Sequence, residues 1–217
     1  MSYITHKQDD EFDFPTDDGT GKAVGQLIPA NQAGFLQIHF INPTGTDAPA
    51  HVAIEATGYG STSVTEAAPF VTYNTMISIP AQSVADVTQT CNTPAGATFL
   101  SLAMYTHKYS TDTHIRDGVT SVYDDSDWSN PQVLRFGTPF LSFSTDQLTF
   151  ECDYNNVTNA TIVSGDNVAI NEQCMAFGFY VPSVGPQFCL DGVLVSPPVA
   201  LEGRASGIRD QGSGSRD

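Results

Sequence analysis

The sequence predicts an all-β protein, an antiparallel β-sandwich of jelly-roll type held by two disulfides. Three observations predict it. Short β-branched and aromatic runs recur with Asn, Asp, Gly and Pro turn signals between them, and no stretch sustains a helical period. Of the 217 residues 40% are hydrophobic, including 13 Phe and 8 Tyr, enough to fill a sizeable core. The four cysteines are an even set, as a disulfide framework requires.

Taken in order, residues 1–25 are acidic and Gly-containing with few apolar groups, and read as an exposed N-terminal arm. The first strong strand is predicted over residues 35–41 (FLQIHFI), closed by Asn42-Pro43-Thr44-Gly45. Further strands are predicted over residues 51–56, 74–80, 83–90, 97–107, 119–123, 139–143, 147–154, 161–163 and 175–181, each a run bounded by turn residues. No Gly/Ser- or Pro-rich linker interrupts the middle, so residues 26–198 are expected to form one sandwich domain. The Gly/Ser/Arg-containing residues 199–217 read as a flexible tail.

Cys152 and Cys174 each sit in an alternating, strand-like run, with turn signals between them, so they can face each other. Cys189 follows Pro182 and Gly185-Pro186, past the last strong strand, which leaves Cys91 as its mate. Cys152–Cys174 with Cys91–Cys189 is one of three possible connectivities. Each bridge would stabilise the fold by roughly 3 to 5 kcal/mol in the chain-entropy account. Paired cysteines point to an oxidising compartment, extracellular, cell-surface or periplasmic. The N-terminal residues are acidic, with no apolar run of signal length, so either a leader lies outside this chain or the inference of secretion is wrong.

The formal charge is −16, from 24 acidic and 8 basic residues, and no Lys or Arg lies between Lys22 and Lys108. Such a surface repels phosphate backbones, which excludes nucleic acid as a partner. No segment reaches the ~20 apolar residues of a membrane span. Asp124, Asp125 and Asp127 form the best candidate cation cluster, since hard cations take oxygen ligands. The sequence contains none of G-x-x-x-x-G-K, G-x-S-x-G and H-E-x-x-H. Asn156-Val157-Thr158 and Asn159-Ala160-Thr161 are glycosylation sequons.

Several phrases in order carry a resemblance. They are Phe35-Leu36-Gln37-Ile38-His39-Phe40 with Asn42-Pro43, Ile79-Pro80, Cys91, and Met104-Tyr105-Thr106-His107. Cys152-Asp153-Tyr154-Asn155, Glu172-Gln173-Cys174, Tyr180-Val181-Pro182 and Cys189 follow. Over roughly residues 27 to 195 this set resembles the C-terminal catalytic domain of the copper type II, ascorbate-dependent monooxygenases, the peptidylglycine hydroxylating and dopamine β-monooxygenase group. The resemblance implies a disulfide-bridged jelly-roll sandwich, with the same cysteine pairing. It also implies a copper position, held in that family by both histidines of an H-T-H motif and by the Met before a cysteine.

At those three positions this chain has Tyr105, His107 and Gln173, so one of the three family ligands remains. Thioether and imidazole suit Cu(I), whereas phenol and amide do not. Met175, two residues from Gln173 on a strand and hence on one face with it, could supply a thioether, with His39 or His114 as a second imidazole. The family's second copper domain has no room in this chain. The expectation is therefore a non-catalytic extracellular binding or structural module, with a protein partner or self-assembly through the arm and sheet edges. The alternative is a mononuclear copper protein, or a diverged copper-dependent monooxygenase, using His107, Met175 and a second histidine.

Overall fold

The computed structural model describes residues 9–31, 44–60 and 63–195. The described residues contain strands only: β1 (Val24–Gln26), β2 (Thr65–Tyr73), β3 (Ser78–Ile79), β4 (Ser83–Asn92), β5 (Thr98–Thr106), β6 (Ser110–Asp117) and β7 (Thr120–Asp125). They continue with β8 (Val133–Arg135), β9 (Leu141–Ser142), β10 (Gln147–Asn156), β11 (Ile162–Val163), β12 (Cys174–Val181), β13 (Gln187–Leu190) and β14 (Val193–Val195). The larger sheet runs β14-β13-β2-β12-β5-β8, with β1 beside β2 and β9 beside β5. The second sheet, β4-β10-β6-β7, is antiparallel throughout, and β11-β3 form a short ribbon.

Alternation along the strands makes the sandwich. On β10, Leu148, Phe150, Cys152 and Tyr154 are buried, while Thr149, Glu151 and Asp153 between them are only half-buried. The inward set meets Phe70, Phe99 and Met104 of the larger sheet in one core. Burying each of those large side chains contributes about 1.5 to 3 kcal/mol. Both disulfides cross from sheet to sheet: Cys152 of β10 to Cys174 of β12, and Cys91 of β4 to Cys189 of β13. The predicted pairing is the one observed.

The larger sheet is mixed rather than purely antiparallel, because β1 and β13 both pair with β2 in parallel. β2, at the centre of that sheet, was not among the predicted strands. Its Pro69 argues against a central strand, since proline lacks the N–H a ladder needs. Along that edge β1 pairs with residues 65–67 and β13 with residues 70–73, so Pro69 falls in the break between them. Cys189 also lies inside a strand, β13, not beyond the last one.

Two further expectations change. The strand over residues 51–56 does not form; Val52 and Ile54 are 46% and 73% exposed, and β propensity without a neighbour to pack on makes no strand. The N-terminal arm is not simply exposed. Phe12 and Phe14 pack on Phe179 at ring separations of 5.1 and 4.9 Å, and Val24 is fully buried in a second cluster with Ala67, Leu100 and Phe140. The Arg135 guanidinium lies 5.2 Å from the Phe12 ring and donates to the Glu11 carbonyl at 2.6 Å. Alternation explains it: within the arm's Glu-Phe-Asp-Phe run the two Phe share a side. The predicted strand over residues 35–41 and the tail over 199–217 lie outside the described residues.

Gly178 fixes the approach of β12 to β5. A Cβ there would lie 2.0 Å from the Ser101 carbonyl oxygen, so the two backbones come closer than any side chain permits.

Candidate functional site

The copper-motif position sits where the chain leaves the larger sheet for the smaller one. β5 ends at Thr106, residues 107–110 turn, and β6 begins in the other sheet, with Ser110 N–H donating to the His107 carbonyl at 3.2 Å. Such a corner takes backbone N–H groups out of both ladders, and buried ones must find other acceptors. Glu172 supplies them. Its carboxylate accepts from His107 N–H at 2.9 Å and from Tyr109 N–H at 2.7 Å, and its own backbone is anchored to Val163 and Gly165 beside the ribbon. The His107 ring, also buried, bonds through Nδ1 to the Asn171 carbonyl at 2.9 Å.

Glu172 is fully buried, and desolvation pushes its carboxyl up to about 7 despite the backbone N–H groups that favour its charge. Tyr105 nearby is pushed up to about 12, by burial first and then by the charges of Asp166 and Glu172. The Tyr154 hydroxyl, deeply buried and held well above its ordinary range by desolvation, donates to the Gln173 carbonyl at 2.9 Å.

Cys174 and Ala176 face the core, so Met175 between them points out of the sandwich, directly across from Tyr105. Gln173 and His107 are the next residues beyond the Cys174–Thr106 pair, and the Tyr105 and His107 rings meet edge to face at 5.5 Å. Tyr105, His107, Gln173 and Met175 thus gather on one side, as alternation predicts. Their donor chemistry does not make the three-ligand copper set. The Gln173 amide donates to Asp166 at 2.8 Å, Tyr105 is a phenol held protonated, and His107 and Met175 are the two donors suited to Cu(I).

Of the other proposed imidazoles, the one among the described residues does not join them. His39 lies outside the described residues. His114 is on β6 opposite Glu151, whose neighbours Phe150 and Cys152 face the core, so His114 stands on the outer face of the smaller sheet. Met175 stands on the outer face of the larger one, with the whole core between. His51 is exposed.

The acidic run does not converge either. Asp124 takes the Ser121 hydroxyl and, at 2.6 Å, His114 Nδ1, and these two partners lower its pKa in that order. Asp125 accepts from Asp127 N–H at 2.9 Å and Gln132 N–H at 2.6 Å. Asp127 caps its own turn through the Ser129 hydroxyl at 2.6 Å, the largest cause of its lowered pKa. Asp125 and Asp127 serve their own loop, while Asp124 reaches across to His114 on β6.

Sequence reasoning missed the polar face of β6. STDTHIRD carries only one large apolar residue, Ile115, so its strand signal is faint, and Asp112, His114 and Arg116 alternate along it. Of the two sequons, Asn156 is fully buried with its amide nitrogen on the carbonyls of Ile79, Pro80 and Ala160, which leaves it no access to a glycan; Asn159 is exposed. Compared with known proteins, the chain matches no family model and no curated protein.

Proposed function

We propose that this chain is a non-catalytic binding or structural module of an oxidising compartment, extracellular, cell-surface or periplasmic, working through a protein partner or copies of itself. One observation carries the reading: the residues at the copper-motif positions hold the fold's corner together. His107 and Tyr109 are tied to Glu172, the His107 ring to Asn171, and Gln173 to Asp166. Four cysteines joined in two inter-sheet bridges support the compartment. No helix among the described residues is long and apolar enough to cross a membrane. The charge of −16 argues against nucleic acid.

The copper reading keeps one favouring observation, that His107 and Met175 lie on the same side. An anaerobic Cu(I) titration against a competing chelator separates the two. The scaffold reading expects no binding above the chelator; one tightly bound equivalent, lost in His107→Ala and in Met175→Leu, replaces it with the copper reading.

A further inference from the structure

We propose that the outer face of the smaller sheet carries a divalent transition-metal site of the zinc type, with His114, Glu151 and Asp153 as ligands and Asp124 orienting the histidine. This site is distinct from the copper-motif corner and independent of the reading above.

Register alone assembles it. Glu151 of β10 is the cross-strand partner of His114 on β6, and His114 is the partner of Asp124 on β7. Asp153, two residues along β10, shares their face. Ligand atoms of His114, Glu151 and Asp153 all lie within 4.8 Å of one another, and among the described residues this is the group of His, Cys and carboxylate side chains that meets that spacing. Donors held about 2.1 Å from a Zn2+ ion sit roughly 3 to 3.5 Å apart, and His114 Nε2 is already 3.5 Å from Asp153 Oδ2.

Two features point beyond a chance meeting of charges. The first is the histidine's orientation. Nδ1 bonds to Asp124 at 2.6 Å, the carboxylate–imidazole arrangement that fixes a metal-binding histidine and turns Nε2 to its ligand. With Nδ1 so engaged, Nε2 is the ring atom left for a ligand, and it faces Asp153 Oδ2 at 3.5 Å. The second is the adjoining row. Asp86, Asp153 and Asp112 are direct cross-strand partners on β4, β10 and β6, and like charges so placed are destabilising. The cation nearest Glu151 is Arg116, at a loose 3.8 Å. An ion at the His114 site neutralises the centre of this row. One imidazole with two carboxylates suits Zn2+ better than Ca2+, which takes oxygen ligands alone.

Isothermal titration of the metal-free chain with Zn2+ tests the site, with Ca2+ as the comparison ion. The expected result is one equivalent of Zn2+ bound in preference to Ca2+. His114→Ala and Asp153→Asn abolish it, Asp124→Asn weakens it about 10- to 100-fold, and Arg116→Gln tightens it roughly two- to fivefold. His51→Ala, an exposed histidine elsewhere, leaves it unchanged. Thermal melts of the variants, whose changes lie on a solvated face, establish that the sandwich is retained. Absence of a zinc isotherm, or binding that survives His114→Ala, overturns the proposal.

Discussion

The two sheets share one core but turn unlike faces outward. On the larger sheet the outer face carries Phe179, Val181 and Leu100, and the chain's own N-terminal segment covers it with Phe12 and Phe14. On the smaller sheet the outer face carries Asp86, Asp112, Asp124, Glu151 and Asp153 with paired threonines such as Thr90 and Thr149, all half-buried or exposed. An apolar outer face must be buried by something, and here the chain does so itself. The polar face carries no such demand and is the one free to meet an ion or a partner.

Both faces depend on the bridges behind them. The largest loss is expected for Cys91→Ala with Cys189→Ala, which opens a span of 98 residues and costs about 4 to 5 kcal/mol; Cys152→Ala with Cys174→Ala, spanning 22, costs about 3. Denaturant midpoints of the two double variants check the order.

The covered face breaks next. Phe179→Ala removes the ring that both arm phenylalanines touch and costs about 3 to 4 kcal/mol. Limited proteolysis then cuts within residues 9–23 sooner than in the wild type, whereas Asp153→Asn leaves that segment protected.

A pH series probes the corner between the sheets. The folded pKa of Glu172 is about 7, above the ordinary 4.5, so between those values the native state binds more protons than the unfolded chain. The contribution of Glu172 to stability is therefore largest below about pH 4.5. It falls by about 3 kcal/mol as pH rises to about 7, then levels off. Glu172→Gln removes that part of the slope in melts taken from pH 4.5 to 8.

The smallest effect sharpens the contrast most. Without added metal, Asp86→Asn relieves one like-charge contact in the open row and raises stability by roughly 0.2 to 1 kcal/mol. A comparable polar change on the covered face, Val181→Asn, destabilises instead, because it buries an amide without a partner.

The strands that fill the core were legible because their inward residues are large. FLSLAMYT and LTFECDY announce β5 and β10, and the alternation in the latter placed Cys152 toward Cys174. β2 was hidden by Pro69, whose lost donor is tolerated only because two shorter strands meet beside it. β6 was hidden because its outward half is charged, and the same charges make it the element of most functional interest. The arm misled by composition: most of its acids among the described residues are exposed as expected, but two phenylalanines two residues apart decide where it lies. The gathering of His107 with Tyr105 followed from alternation alone, whereas the role of Glu172 depends on a corner between sheets that no local pattern reveals.

One measurement reads both regions at once: long-range 1H–15N correlation of the histidine rings, first with Cu(I) under anaerobic conditions and then with Zn2+. The account predicts that the His107 ring signals stay fixed in both titrations, as a buried ring bonded to the Asn171 carbonyl should, while His114 shifts with one equivalent of Zn2+. A His107 ring that moves with one equivalent of Cu(I) would contradict it, and would make the corner a metal site instead of a clasp.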